Sequence, residues 1–292
     1  ILTRVSDAYR RLRNTQRFLL GNLSGFDPEK HAVPISDMIY LDQWAIDRAC
    51  TLQEEVIRAY ERYEFHHIFH KVHNFCVVEM GGFYLDVIKD RLYTTGTDGL
   101  PRRSAQTAMY HIAEAMVRWL APILTFTAEE IWQSLPGART DSVFLSNWHA
   151  LPKKARMENV DWDLILDVRQ AVSKELERVR AEGEIGAPLD AWIHIFCEPN
   201  LMTTLETLGD ELRFVFITSE AKVSPEEQRP KDSVAVCSES TQFWIKLGRS
   251  KEDKCARCWH RRDDVGNYDE HKELCGRCVG NVEGSDELRV YA

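Results

Sequence analysis

The stretch FHHIFHKVHNFCVVEMGGFYLDV (residues 65–87) decides the fold of the first half of this chain. Its apolar residues Phe65, Phe69, Val72, Cys76, Met80, Phe83 and Val87 recur every three or four positions, the period of one helix face. A run of that length is too long for a strand and predicts a long amphipathic helix. Gly81-Gly82 sits inside it at about 1 kcal/mol each in helix propensity, so a close helix neighbour or a kink is expected there.

The same period extends to both sides. Leu2, Val5, Tyr9 and Leu12 lead to Gly21, a helix stop. Residues 22–36 hold Gly25, Pro28 and Pro34 and read as a connection, and a second helix starts near Leu41 with Trp44, Ala45, Cys50, Leu52 and Val56 on it. Residues 94–101 form a Gly-containing turn, followed by a helix from about Ser104 to Leu120 that ends near Pro122. Thr127-Ala128-Glu129-Glu130 has the form of a capping box opening a short helix through Ile131 and Trp132. Striped helices joined by modest loops pack as an antiparallel bundle, expected over residues 1–155.

After Leu151-Pro152 the pattern changes. Residues 161–182 are helical, with Trp162, Ile165, Val168, Val172, Leu176 and Val179 on one stripe. Short strand-like runs follow at 191–197, 214–218, 234–237 and 243–247, with a helix from about Asn200 to Gly209 between the first two. Residues 156–248 therefore read as a small α+β unit. Residues 249–292 have almost no apolar periodicity and cannot bury a core unaided. The fold class is mainly α: an antiparallel helical bundle, a small α+β unit, and a C-terminal ribbon or knuckle that needs a staple.

The whole chain has 292 residues, 44% of them hydrophobic and 28% charged, which excludes global disorder. With 37 Lys+Arg against 46 Asp+Glu the net charge is −9, so a wholly basic nucleic-acid binder is excluded, though local basic patches are not. No apolar run reaches the ~18 residues of a membrane span. The first residue is Ile1, and the chain reads as a piece of a longer polypeptide.

Cysteine placement is more specific. Cys50, Cys76, Cys197 and Cys237 stand alone and read as small buried hydrophobes. Cys255-Ala256-Arg257-Cys258 and Cys275-Gly276-Arg277-Cys278 each put two sulfurs on one tight knuckle, with 16 residues between the pairs. Two knuckles complete a tetrahedron of thiolates, which suits one structural Zn²⁺ and leaves no open position for catalysis. Iron in a rubredoxin-like site is the lesser alternative, since S₄ geometry accepts either metal. A thioredoxin-like dithiol is disfavoured, since no helix is expected behind either pair, and His260 and His271 are expected to face solvent.

From Lys246 to Arg262 there are seven cations and two acids. A Zn(Cys)₄ centre carries −2 and attracts some of the cations; the remainder suggest a phosphate-facing surface. Trp244 and Lys246 share one strand face, pairing an aromatic platform with a cation as an unstacked base and its phosphate require, although Trp244 as core fits equally. Arg249 and Arg257 extend the basic stretch. Arg10, Arg13 and Arg17 form a helix ridge, either an ordinary solvated face or an RNA contact. His66, His70 and His73 share a helix face without the spacing of a metal motif. His67-Ile68-Phe69-His70 is not a nucleotide signature, because Phe69 stands where a base needs glycine. No phosphate loop or nucleophile elbow occurs, so no catalytic residue is assigned.

Leu41-Asp42-Gln43-Trp44-Ala45, Tyr63-Glu64-Phe65-His66, Asn74-Phe75-Cys76-Val77-Val78 and above all Phe83-Tyr84-Leu85-Asp86-Val87-Ile88-Lys89-Asp90-Arg91-Leu92-Tyr93 resemble the anticodon-binding bundle of bacterial isoleucyl-tRNA synthetases. Ser104-Ala105-Gln106-Thr107-Ala108, residues 120–132 and Tyr9-Arg10-Arg11-Leu12-Arg13-Asn14-Thr15 are similar to that family too. The cysteine quartet resembles its C-terminal zinc module, which is also like the zinc finger of some DNA glycosylases. The likeness is dense over residues 41–135 and at the cysteines, and thin over 190–240.

The resemblance implies that the family's nucleotide-binding fold, its two ATP signatures and its editing domain lie N-terminal to residue 1. It implies a cytoplasmic, monomeric parent enzyme that joins isoleucine to its tRNA through an adenylate formed from ATP. This piece would hold the anticodon arm, and zinc would be needed for productive tRNA engagement. Two other readings remain: a zinc-ribbon nucleic-acid-binding module of a DNA-repair type protein, and an interaction domain whose zinc only supports folding.

Overall fold

The computed structural model describes residues 2–153, 160–285 and 287–292, so position 155, the expected end of the bundle, lies outside them. The chain forms two compact units, residues 1–92 with 97–157 and residues 93–96 with 158–292. The α+β segment and the cysteine tail, separate in the sequence reading, both lie in the second unit.

The first unit is helical. Its elements are α1 (Leu2–Asn22), α2 (Pro28–His31), α3 (Tyr40–Glu61), α4 (Phe65–Asn74), a π-helical stretch (Phe75–Tyr84), α5 (Leu85–Val87), α6 (Lys89–Thr94, whose last two residues belong to the second unit), α7 (Leu100–Leu120) and α8 (Thr125–Trp132). Helix α7 is the axis: Ala105, Ala108, Met109, Ile112, Ala113, Ala115, Met116, Val117 and Trp119 are all buried. A helix buried on nearly every side, its polar Ser104, Gln106, Thr107 and Glu114 included, sits in the middle of the bundle, and its alanines let α1, α3, α4 and α8 approach closely. It starts at Leu100, earlier than expected, because Pro101 is tolerated in a first turn where no donor is needed.

The Gly81-Gly82 pair has a specific cause. From Phe75 to Tyr84 the helix is wound wide, and a Cβ on Gly81 would lie 3.0 Å from the Cys76 carbonyl oxygen, one on Gly82 3.2 Å from that of Val77. Glycine clears the carbonyl five residues back, which π-winding brings under the side chain.

Deep in the bundle, Asp42 and Arg91 are both fully buried and paired at 2.8 Å. The Asp42 carboxylate also accepts from the Tyr84 hydroxyl at 2.8 Å and from Ser104 Oγ, which in turn accepts the Ile39 N–H at 2.9 Å. One carboxylate thus joins α3, the π-turn, α6 and α7.

The capping box does not form. Helix α8 begins at Thr125, two residues before Thr127, and its N-cap is Leu124 with no side-chain bond. The Thr127 hydroxyl instead meets the Tyr9 hydroxyl at 3.0 Å, Glu129 accepts from Ser142 and the Val143 N–H, and Glu130 pairs with Arg13.

The second unit holds α9 (Trp162–Ala181), α10 (Pro199–Glu206), α11 (Leu212–Phe216) and α12 (Gly276–Glu283), with strands β1 (Ala191–Cys197), β2 (Glu220–Pro225), β3 (Val234–Cys237), β4 (Gln242–Arg249), β5 (Asp253–Lys254) and β6 (Arg261–Arg262). The sheet order is β2-β1-β4-β3, with β1 parallel to β2 (Ile193↔Ala221) and antiparallel to β4 (Ile195↔Ile245). Ala191, Ile193 and Ile195 are buried while Trp192 and His194 are partly open, and the Trp162–Val179 stripe of α9 is buried as expected.

One expectation fails here. Residues 214–218 are not a strand: Phe214 to Phe216 belong to α11, and the helix is ended by Ile217 at φ 57°. The strand lies just beyond, at Glu220–Pro225. A parallel partner needs a crossover, and α10 with α11 supplies it.

Removing the buried carboxylate tests the bundle. Asp42→Ala strands the Arg91 guanidinium without its charge partner and should lower unfolding free energy by about 3–5 kcal/mol in urea titration. Breaking the more exposed Arg48–Glu79 pair, at 3.0 Å, should cost about 1 kcal/mol or less.

Candidate metal centre and nucleic-acid interface

Cys255, Cys258, Cys275 and Cys278 are all buried, and their Sγ atoms lie within 4.8 Å of one another. Cys258 Sγ and Cys275 Sγ are 3.7 Å apart, close to the ~3.8 Å that a tetrahedral ion with ~2.3 Å bonds imposes. None of the four is in a disulfide. Hydrogen bonds from the Cys258 and Cys278 sulfurs push the Cys275 thiol well below the ordinary thiol range. The donor set fits one structural Zn²⁺, and four thiolates leave no coordination position open.

Backbone geometry sets the knuckles. The Cys255 N–H donates to the His260 carbonyl at 2.9 Å, Trp259 turns the first knuckle at φ 66°, and the Cys275 N–H donates to Cys255 Sγ at 3.4 Å. The Gly276 N–H donates to Asp264 at 2.8 Å, and a Cβ on Gly276 would run into the Tyr268 hydroxyl. Cys275 is the N-cap of α12, so a helix does stand behind the second pair, contrary to expectation. The shared cluster, rather than the lack of a helix, separates this site from a redox dithiol.

His260 also departs from expectation. It is buried, with Nδ1 3.2 Å from an Arg213 nitrogen and its ring edge-on to Phe214 at 5.4 Å. His271 is half-buried, 4.0 Å from Glu283. Beside the cluster lies a cavity of about 430 Å³. In its lining the Phe214 ring carries the guanidinium groups of Arg289 (3.3 Å), Arg213 (4.1 Å) and Arg277 (5.2 Å). Burial raises the Glu287 carboxyl, but Arg289 and Arg277 outweigh it and hold the group below its ordinary value. Glu211 accepts the N–H groups of Val290, Tyr291 and Ala292 at 2.7–2.9 Å. Sequence reading missed this clamp because Phe214 was placed on a strand.

The RNA-contact candidates differ in what they already hold. Arg13 makes a two-pronged pair with Glu130 at 2.8 Å, and Arg10 lies 3.4 Å from Asp7. Lys246 pairs with Asp232 at 2.8 Å, and Arg257 donates to the Thr94 carbonyl at 3.2–3.3 Å. Trp244 is half-buried with the Arg229 guanidinium 3.9 Å over its ring. Arg17 and Arg249 are exposed and have no acid partner among the described residues. Of the lone cysteines, Cys50, Cys76 and Cys197 are buried, whereas Cys237 is exposed on edge strand β3. No helix among the described residues is long and apolar enough to cross a membrane.

Residues 42–195 match the anticodon-binding domain of tRNA ligases, and residues 252–280 match the zinc finger found in FPG and IleRS. The chain belongs to the anticodon-binding domain family of tRNA ligases. Over its full length it is 57% identical to isoleucine–tRNA ligase of Methylococcus capsulatus, covering 31% of that protein, and 57% identical to that of Alkalilimnicola ehrlichii, covering 32%. The corresponding ligase of Nitrosococcus oceani is 54% identical, again over the whole chain and 31% of the relative. The chain thus spans about a third of the length of the curated relatives it matches.

Protein purified without added metal should contain one zinc per chain by elemental analysis. A strong chelator, or Cys275→Ser, should open residues 249–292 to protease and leave the bundle resistant, because zinc contributes on the order of 10 kcal/mol to such a fold. A metal-free quartet with an ordered, protease-resistant tail would contradict this assignment.

Proposed function

We propose that this chain is the tRNA-binding, C-terminal part of an isoleucine–tRNA ligase, and that the parent enzyme attaches isoleucine to its tRNA using ATP at a site outside this chain. The observation that carries the reading is a combination. An anticodon-binding family match over residues 42–195 and a four-cysteine zinc module occur together in a chain alike, end to end, to proteins of that name. The parent enzyme is taken as a cytoplasmic monomer specific for isoleucine tRNA.

The physical logic is positioning. Binding energy gathered far from the reacting ribose lowers the entropy cost of placing it, so an anticodon grip accelerates a distant reaction. Within this reading the chain has three working parts: the bundle at 1–155, the α+β junction at 156–248 and the zinc module at 249–292. The zinc, when bound, supplies rigidity rather than chemistry.

Arg10, Arg13, Arg17, Trp244, Lys246, Arg249 and Arg257 are the proposed RNA contacts. Arg17 and Arg249 lead, because phosphate need not displace an acid to reach them. Arg13 and Lys246 would have to release Glu130 and Asp232, and Arg257 the Thr94 carbonyl. The long bundle speaks against a DNA-repair module.

Binding of the zinc-loaded chain to anticodon stem-loops, followed across a salt series, tests the proposal. A matched isoleucine anticodon should bind more tightly than a mismatched one. Arg17→Ala and Arg249→Ala should each lower the salt slope by about 0.7–0.9 without changing that preference. Equal binding of matched and mismatched loops overturns anticodon recognition, and tighter binding of duplex DNA transfers support to the repair-type reading.

A further inference from the structure

The helical unit has two ends, and they differ in what they expose. At one, Asp42, Arg91 and Ser104 meet inside, and Gln106 donates to the Asn22 carbonyl at 2.9 Å. At the other, the Tyr60 hydroxyl donates to the Trp119 carbonyl at 2.6 Å, so α3 and α7 finish side by side. Helix α1 starts at this second end, because Tyr9 meets Thr127 and Arg13 meets Glu130 along the first turns of α8.

Helix α1 carries its apolar stripe past the bundle. Leu12 and Leu19 are buried, whereas Leu2 and Val5, in the same period, are 85% and 56% exposed. Phe126, in the first turn of α8, is 90% exposed.

A group of rings lies where α3 closes. Tyr60 is half-buried between Phe65, edge-on at 5.8 Å, and Trp148, tilted at 5.8 Å. Tyr63 is edge-on to Phe65 at 6.1 Å, and Tyr63, Phe65 and Trp148 are all exposed. The Asn147 carbonyl accepts from Arg118 Nε at 2.8 Å, which fixes Trp148 at the same end. Tyr63 ends α3 at φ 59°, a conformation that glycine adopts freely and tyrosine only under strain. Strain without burial adds nothing to this unit's own stability, so the use of the ring lies with a partner.

Charge at this end is nearly matched. Arg10 pairs with Asp7, Arg13 with Glu130 and Arg118 with Glu114. Arg4 and Arg62 are exposed without an acid partner among the described residues, and Glu61 is exposed without a cation. Such a surface suits apolar protein better than a phosphate backbone.

Connectivity selects the protein. The chain is about a third of the length of its curated relatives, and the resemblance to them places a nucleotide-binding fold before residue 1. Such a fold joins through α1, whose first turns hold Leu2 and Val5 at this end. Tethering keeps it near at about millimolar effective concentration, which a free partner or a second copy does not match.

We propose that this end of the bundle is the docking face for the part of the parent ligase that precedes residue 1. Leu2, Val5 and Phe126 form one side of the seat, and Tyr63, Phe65 and Trp148 the other. The inference rests on the ligase reading and deepens it, since a firm seat holds the anticodon grip at a fixed distance from the reacting ribose.

Hydroxyl-radical footprinting of the parent ligase and of the 292-residue chain tests this, because it reads side-chain exposure directly. Tyr63, Phe126 and Trp148 should be oxidised in the chain alone and protected in the parent. Tyr93, exposed on α6, should be oxidised in both. In the parent, Phe126→Asp should lower kcat/KM for tRNA charging about tenfold and leave ATP–pyrophosphate exchange unchanged, while Val78→Asp on the exposed π-helical surface should alter neither. Circular dichroism establishes that the variants are folded; if Phe126→Asp is not, the footprint of the unmodified parent decides. Equal oxidation of the three rings in chain and parent, in a parent that charges isoleucine tRNA, overturns the docking face and leaves the ligase reading standing. Protection that needs high chain concentration, or added tRNA, assigns the face to a second copy or to RNA and overturns it likewise. A parent with protected rings that charges no isoleucine tRNA overturns the ligase reading instead.

Discussion

Four sulfur atoms around one ion are the constraint on which the C-terminal region depends. Between residues 249 and 292 the buried apolar residues apart from the cysteines are Val279 and Ala292, and the local strands β5 and β6 are two residues each. Such a segment cannot offset its own ordering entropy by burial. A metal replaces the missing core with a few strong bonds, and the surroundings then extend that rigidity outward. Asp264 holds the start of α12, the arginines stack on Phe214, and Glu211 fastens residues 290–292.

The bundle solves the opposite problem. It has ample apolar surface around α7 and needs uniqueness rather than mass. Asp42 provides it: a buried carboxylate with three partners tolerates only one mutual placement of the elements that bring them. Asp42, Tyr84, Arg91 and Ser104 all lie within the stretches whose wording gives the family resemblance. That coincidence has a physical basis, since replacing any one of them leaves a buried polar partner unsatisfied.

What could be read from sequence follows the same division. Long helices were legible because many residues repeat one period, and the quartet because metal geometry dictates spacing. Short apolar runs were not. Leu212 to Phe216 is buried throughout and carries no period that separates strand from helix, while the true strand at 220–225 alternates polar residues and hides on a sheet edge. The reason for Gly81-Gly82 was half legible, since a defect was expected but wide winding was not. His260 was misjudged because its burial comes from Arg213 and Phe214, more than forty residues away in sequence.

If the chain binds tRNA as proposed, the distinction between charge counted and charge available bears on how an acidic chain would hold a polyanion. The seven cations between Lys246 and Arg262 look like a patch, yet Lys246, Arg257 and Arg261 already serve Asp232, Thr94 and Asp190. What reaches a phosphate without a competing acid is a shorter set led by Arg249 and Lys251. At physiological ionic strength the screening length is about 8 Å, so most of the −9 lies too far away to oppose those contacts, while the few nearby cations act at full strength. With so little free charge, electrostatics alone gives weak and unselective binding. Discrimination among loops must then come from groups that see bases, which places the burden on open aromatic faces rather than on the number of arginines.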